Sequence, residues 1–159
     1  MKKNSYQGEM EKTAVTFGKE INVSWKHSNE ICNMIKGMMV PKAIKYLEDV
    51  TEFKDHVPYR RYFKGKAHRK TSKKGVKQGG YPIKATKAVI KLLKGLQANA
   101  EHKGLDKERL KIVHATAYKS RIIPRTRPKG WGSGIGAAYN MGIYANMVLT
   151  NIEIVVKQV

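Results

Sequence analysis

The chain has 159 residues, of which 32 are Lys or Arg and 12 are Asp or Glu, so that its formal net charge is +20. This length predicts one domain with a real core rather than two, and the charge imbalance favours a polyanionic partner, with nucleic acid as the leading candidate. The single cysteine, Cys32, excludes a disulfide framework within the chain and indicates a reducing compartment.

The N-terminal part combines a polar arm with a first short strand. Residues 1–20 are polar and mixed in charge, and we expect an extended arm with little structure of its own. Residues 21–159 then form the single domain. Ile21, Val23 and Trp25 alternate with polar residues, which predicts a strand buried on one face. This strand could pair beside the base of a later hairpin and complete a three-stranded sheet.

Three helices are predicted after this strand. Ser28 is a plausible N-cap for a helix that ends at Lys36, and Pro41 opens a second helix at its first position. The strongest helix covers about residues 83–103 and ends at Gly104. Each carries an apolar stripe at helical spacing. The stripe residues are Ile31, Met34, Ile35 and Met38 in the first helix, Ala43, Ile44, Leu47 and Val50 in the second, and Ala85, Ala88, Val89, Leu92, Leu93, Leu96 and Ala100 in the third.

A strongly basic stretch lies between the second and third helices. From Tyr59 to Ala100 the sequence contains no Asp or Glu, and its first part is rich in glycine and has no apolar periodicity. Such a stretch should be disordered alone in water. We therefore expect it to fold against a partner rather than to remain a solvated loop. Its predicted RNA-binding residues are Arg60, Arg61, Lys64, Lys66, Arg69, Lys70, Lys73, Lys74 and Lys77.

The C-terminal third reads as a long β-hairpin over about residues 109–156. The two arms, Arg109 to Ile123 and Gly142 to Val156, are rich in β-branched and aromatic residues, and a glycine-rich tip at about 125–141 separates them. An isolated ribbon is marginal in water, so basic residues on it point to support from a polyanion. These residues are Lys111, Lys119, Arg121, Arg125, Arg127 and Lys129, and the tip itself is assigned to Gly130, Trp131, Gly132, Ser133 and Gly134.

These elements together predict an α+β fold. A small antiparallel sheet is packed by three helices on one face, and the long hairpin protrudes from it. The glycines at the hairpin tip allow the chain to turn with positive φ. Trp131 is either an incidental turn residue or a platform on which an RNA base stacks, and the second interpretation is favoured.

No pattern in the sequence supports catalysis, a cofactor or a metal. Gly132, Gly134 and Ala137 have the spacing of a dinucleotide fingerprint, but no hydrophobic strand precedes them and no helix follows. One cysteine and five scattered histidines cannot build a zinc site. Carboxylates are not paired for acid–base work, and no nucleophile stands beside a base. The uncharged run from Gly130 to Ile152 contains too many glycines and asparagines for a membrane helix.

Two functions from different classes suit this charge. A structural protein of a large folded RNA would make many distributed phosphate contacts along the hairpin and the basic stretch. A free-standing nucleic-acid packaging protein or RNA chaperone would use the same charge, but it would not need one long ordered hairpin. The first interpretation is favoured, and an enzyme is a distant third.

Several motifs resemble a universal ribosomal family. KGMMVPKAIKYLEDV, VPYRRYFKG, GGYPIKATKAVIKLLKGLQANAEHKGLD and KIVHATAYKSRIIPRTR occur in the order found in the large-subunit protein whose hairpin lines the peptide exit tunnel. That family is called protein twenty-two in bacteria and seventeen in eukaryotes, and the sequence is similar to its eukaryotic and archaeal form. The likeness covers roughly residues 21–156.

The resemblance implies a structural, non-enzymatic role in the cytoplasmic large ribosomal subunit. The implied partners are ribosomal RNA, neighbouring large-subunit proteins and the nascent polypeptide, with neither DNA nor a membrane. It also implies that the stretch from Arg60 to Lys77 packs into RNA and that the tip helps to form the tunnel constriction. Arg121, Arg125 and Arg127 match the arginine-rich arm of the family hairpin, whereas Gly130 to Met141 lacks the further arginines of relatives.

Overall fold

The computed structural model describes residues 5–8, 11–73, 76–123 and 146–159, with residues 70–73 described in their backbone only. Its strands are β1 (Thr13–Ile21), β2 (Val57–Pro58), β3 (His68–Lys73), β4 (Val76–Gly80), β5 (Leu110–Ile123) and β6 (Met147–Gln158). Its helices are α1 (Trp25–Ile35), α2 (Val40–Thr51) and α3 (Ile83–His102), and a short 3-10 helix (Lys107–Arg109) leads into β5. The α+β class is confirmed.

The main sheet has the order β1-β6-β5 and is antiparallel throughout. Strands β5 and β6 pair from Leu110↔Gln158 to Ile123↔Met147, which confirms a long hairpin. Strand β1 pairs with β6 only as far as Ile21↔Thr150. Beyond that point, the described part of the sheet narrows to two strands on the way to the tip.

The helices cover one face of this sheet and form the core with it. Helix α1 packs mainly on β5, α3 packs on β1, and α2 packs mainly on α3. Side chains on the covered face of each strand recur every second residue. The largest fully buried apolar side chains include Ile31, Ile35, Leu47, Leu93, Leu96, Ile112, Ile152 and Ile154. The predicted core face of each helix is confirmed, with Met38, Ile44, Ala88 and Leu92 only partly buried.

The prediction for the first strand was wrong in its position. Strand β1 starts at Thr13, so that residues 13–19, which we expected to have little structure, form most of it. Trp25 belongs to helix α1 and not to a strand. The predicted pairing beside the hairpin is nevertheless confirmed, because β1 lies along β6. The alternation that marked the strand was the extended connection between β1 and α1.

Helix α1 also begins earlier than Ser28. Its N-cap is Ser24, one turn before the predicted position. Ser28 is fully buried, and its hydroxyl donates to the Ser24 carbonyl at 3.0 Å. A serine inside a helix satisfies its hydroxyl in this way, through the carbonyl four residues earlier. The other predicted ends hold, since Pro41 lies in the first turn of α2 and Gly104 follows α3 with a φ of 70°.

The N-terminal residues that the structure describes contact the outer face of the sheet. The backbone N–H and the hydroxyl of Ser5 donate to the carboxylate of Glu153 at 3.0 Å and 2.7 Å. Glu153 lies in the middle of β6 and is buried. A buried carboxylate needs donors to offset the loss of water, so Ser5 stabilises this central position of the sheet.

Candidate nucleic-acid interface

The first residues of the basic segment, defined as residues 60–77, are hydrogen-bonded to a buried carboxylate. Glu30 of α1 is 1% exposed. Its two oxygens accept hydrogen bonds from the backbone N–H groups of Arg60 at 3.1 Å, Arg61 at 2.8 Å and Tyr62 at 2.7 Å. Hydrogen bonds to an ionised acceptor are about twice as strong as neutral ones. Glu30 therefore fixes the backbone here, while the side chains of Arg60 and Arg61 face solvent.

Tyr59, the residue just before this segment, also contacts helix α1. Its side chain is buried, and its hydroxyl lies 2.5 Å from Nδ1 of His27. Burial, followed by the charges of Lys66 and Lys26, lowers the pKa of His27 against the opposing effect of Glu30. Burial and the Glu30 charge raise the pKa of Tyr59. Both effects keep the pair neutral at pH 7, so that the imidazole can accept a hydrogen bond from the tyrosine hydroxyl.

A second sheet that the sequence did not predict carries the rest of the basic segment. Strands β2, β4 and β3 pair in that order, with Val57 opposite Gly80 and Pro58 opposite Gly79. The expectation that the stretch lacks structure of its own was wrong for β3 and β4. Their sequences, HRKTSK and VKQGG, contain Val76 as their single apolar side chain, and such strands lack the apolar alternation by which a strand is recognised.

Aromatic rings hold several of the cations in place. The Lys66 ammonium lies 4.9 Å from the centre of the Tyr59 ring, and the Arg69 guanidinium lies 4.9 Å from the centre of the Tyr81 ring. The Arg61 guanidinium lies 5.6 Å from the ring of Tyr62. Cation–π contacts of this kind orient a charge without neutralising it. The cations thus remain available to an anionic partner.

The predicted binding residues are partly brought together. The side chains of Arg60, Arg61, Lys64, Arg69 and Lys77 are exposed, and Lys66 is half-buried. Lys70 and Lys73 belong to the part of β3 whose backbone alone is described, and Lys74 lies outside the described residues.

The hairpin carries its described predicted cations on strand β5. Lys119 and Arg121 are exposed near the far end of β5, and Lys119 stands opposite Thr150. The remaining predicted residues of the hairpin, namely Arg125, Arg127, Lys129, Gly130, Trp131, Gly132, Ser133 and Gly134, lie outside the described residues.

Sequence reasoning missed two contributors to this surface. Glu30 was not singled out, although it is an acidic residue next to Ile31 on a helix whose other inward residues are uncharged, which is the available signal for a buried anchor. Lys26 was missed because its neighbour Trp25 was assigned to a strand. In the structure, the Lys26 ammonium lies 6.0 Å from the Trp25 ring and 5.9 Å from the Tyr62 ring.

The described residues contain no group of three or more His, Cys, Asp or Glu residues that could hold a metal ion. Burial raises the pKa of the Cys32 thiol to about 12, so that this cysteine is a packing residue. Ion pairs such as Lys94–Glu48 at 3.6 Å and Lys107–Glu101 lie outside the basic segment. Within the same described ranges, no helix is long and apolar enough to cross a membrane.

Comparisons with known proteins agree on one family. The sequence profile described as ribosomal protein L22p/L17e matches residues 16–136. The large ribosomal subunit protein uL22 of Archaeoglobus fulgidus is 48% identical over 121 residues, covering 76% of this chain and 77% of its own length. The protein of the same name from Methanocaldococcus jannaschii is 46% identical over 77% of this chain and 78% of its own length. That of Methanocella arvoryzae is 37% identical over 100% of this chain and 99% of its own length.

Proposed function

We propose, from the premise that this chain belongs to the ribosomal protein L22p/L17e family, that it binds ribosomal RNA through its basic segment and its hairpin. The family consists of structural ribosomal proteins and not of enzymes. The chain is accordingly a protein of the large ribosomal subunit, with the cytoplasmic location of that subunit.

The observation that carries the RNA contact is the anchoring of the basic segment by Glu30. The buried carboxylate of Glu30 binds three consecutive backbone N–H groups. The negative charge therefore lies inside the body, and the side chains of Arg60 and Arg61 lie on the surface. A flexible basic tail would lose conformational entropy on binding RNA. A segment already held in place loses less, which favours stable incorporation into an assembly over transient contact.

The hairpin is proposed to line the nascent-peptide exit tunnel. Strands β5 and β6 remain paired as far as Ile123↔Met147, and the exposed Lys119 and Arg121 mark the part that would pass between RNA phosphates. The proposed partners are large-subunit ribosomal RNA, neighbouring proteins of that subunit and the nascent polypeptide. A photo-crosslinking residue in place of Trp131 tests the lining: an adduct with a stalled nascent chain is expected, and adducts with RNA alone would contradict it.

The domain organisation implies that the body and the tip are separable. We propose that residues 21–159 form one domain, which strand β1 joins from Thr13 onward, and that its core lies in the helices and in the sheet at the hairpin base. Deleting residues 127–139 should then leave the body folded and assembled, because the buried side chains described above lie outside that range. Loss of the cooperative thermal transition in the deletion variant would contradict the division.

Retention in salt tests the RNA-binding role against the free-standing packaging protein. We expect stoichiometric recovery of the chain with large subunits after a high-salt wash, whereas a packaging protein held by charge alone is lost at moderate salt. The double variant Arg61→Ala/Lys64→Ala should leave the subunit at lower salt than the wild type. Its matched control is Lys94→Ala/Lys107→Ala, which removes the same charge from residues that already form ion pairs. Equal retention of the two double variants would contradict the proposed role of the segment.

A further inference from the structure

A cleft lies between the start of helix α1 and the start of the basic segment. It has a volume of about 310 Å³, and Lys26 and His27 of the helix face residues 61–64 and Lys66 across it. Pockets that hold small ligands begin at about this size. The side chains that line it come from two elements fixed to each other by Glu30 and by the contact of His27 with Tyr59. The cleft is therefore a preformed feature of the fold.

The chemistry of the cleft is that of an anion site. Lys26, Arg61, Lys64 and Lys66 contribute four cations, and none of the described residues that line it is acidic. Lys26 and Arg61 stand over the ring of Tyr62 from separate elements, at 5.9 Å and 5.6 Å. Four cations around one small cleft repel each other, and an anion that enters relieves this repulsion.

An exposed aromatic ring accompanies these charges. Phe63 is 44% exposed, and among the described residues no other ring pairs with it. The carbonyl of Phe63 accepts the N–H of Lys66 at 3.0 Å, and Gly65 at a φ of 71° closes the tight turn between them. Tyr62, by contrast, already packs edge-on against Trp25 at 5.1 Å. The turn thus presents Phe63 as the free apolar surface beside four cations.

We propose that this cleft binds one unpaired nucleotide of RNA, with its base stacked on Phe63 and its phosphates held by Lys26, Arg61 and Lys64. The inference rests on the proposed function and names the class of ligand that this part of the surface takes. A base inside an A-form duplex has both faces stacked, whereas a bulged or looped base can be splayed onto a protein ring. An acidic peptide would use the cations but gain little from an aromatic platform.

Two RNA hairpins that differ only in one bulged nucleotide test the site. The full chain is titrated with each, and 2-aminopurine at the bulge reports stacking through its fluorescence. We expect the wild type to prefer the bulged hairpin by about tenfold, since a base stacked on an aromatic side chain is worth roughly that factor. The Phe63→Leu variant should lose this preference and keep the salt dependence of binding. Phe63→Trp should retain both, and Phe17→Leu, which changes an exposed ring on β1, should behave as the wild type.

The lysines should show the opposite pattern. Lys26→Ala and Lys64→Ala should each lower the slope of log affinity against log salt by about one and leave the preference for the bulge unchanged. Equal affinity of the wild type for both hairpins, or an unchanged preference in Phe63→Leu, would overturn the site. So would competition by a polyglutamate peptide as effective as that by the bulged hairpin. The proposed function has a separate test. If the chain stays on large subunits after the salt wash, the proposed function holds even when the cleft proposal fails. If the chain is lost in that wash, the proposed function is overturned.

Discussion

The carboxylate of Glu30 accepts a hydrogen bond from the backbone N–H of Arg61 at 2.8 Å, across 31 positions of the sequence. The two residues carry opposite charges, yet the contact that joins them uses the arginine backbone. The guanidinium is thereby left for another partner. A buried acidic residue thus fixes the backbone from which a basic surface projects.

Removing the Glu30 carboxylate should unfold the start of the basic segment. Glu30→Ala leaves three backbone donors without their acceptor, and we expect a loss of about 3 kcal/mol in the free energy of unfolding, because buried hydrogen bonds to a charged group are costly to lose. Urea titration measures it. Glu108→Ala, at an exposed acidic residue, is the matched control and should change stability little. Equal effects of the two substitutions would show that Glu30 does not anchor the segment.

Two adjacent leucines of α3 should differ in their contribution to the core. Leu93 is fully buried, whereas Leu92 is only partly buried. Leu93→Ala should therefore cost about 2 to 5 kcal/mol through a cavity, and Leu92→Ala less than about 2 kcal/mol because part of its surface already faces water. Thermal melting of the two variants measures the difference, and a larger loss for Leu92→Ala would contradict the helix orientation.

Two glycines should respond to alanine in opposite directions. A Cβ on Gly79 would stand 2.2 Å from Cδ2 of the buried His56 ring, whereas a Cβ on Gly95 would meet no atom within 4 Å. Gly79→Ala should destabilise the chain by about 1 to 3 kcal/mol through overpacking. Gly95→Ala should stabilise α3 by about 0.5 to 1 kcal/mol, since alanine is the better helix former.

The clash at Gly79 can be separated from other effects by a double variant. If the His56 ring is the obstacle, His56→Ala combined with Gly79→Ala should cost less than the sum of the single substitutions. Denaturant midpoints of the four chains give the coupling free energy. Additive losses would show that the ring is not what opposes a side chain at position 79.

Stability should fall in mild acid. Burial and nearby cations lower the pKa of His27 and His56 below the ordinary value of 6.5 in the folded chain. The unfolded chain then binds more protons between 6.5 and the folded-state values, so the free energy of unfolding decreases as pH falls through this window. Melting at pH 7.5 and 5.5 measures this change. His27→Gln should reduce this change, and an equal change in His27→Gln and the wild type would contradict the prediction.

Local patterns predicted the elements that local chemistry determines. Helices α2 and α3 follow from their apolar stripes, from Pro41 at the start of one and from Gly104 after the other. The arms of the hairpin follow from β-branched residues, although β6 ends two positions later than predicted, at Gln158. These features are recognisable because each depends on neighbours within about one turn or one strand.

Tertiary contacts determine what the sequence did not predict. Strand β1 contains Gly18 and a charged pair at positions 19 and 20, which hides its pairing with β6. Strands β3 and β4 carry a single apolar side chain, Val76, and β4 is held next to β2 by backbone hydrogen bonds. The anchoring of the basic segment joins Glu30 to residues about thirty positions away, a distance over which periodicity carries no information.

Lysine footprinting tests the central claim, that the basic segment lies against ribosomal RNA. Lys64 and Lys77 are exposed in the free chain, and their rates of acetylation can be measured by mass spectrometry in the free chain, in purified large subunits and in subunits digested with ribonuclease. We predict strong protection in the intact subunit and recovery of both rates after digestion. Equal rates in the free chain and the intact subunit, or protection that survives digestion, would contradict the account.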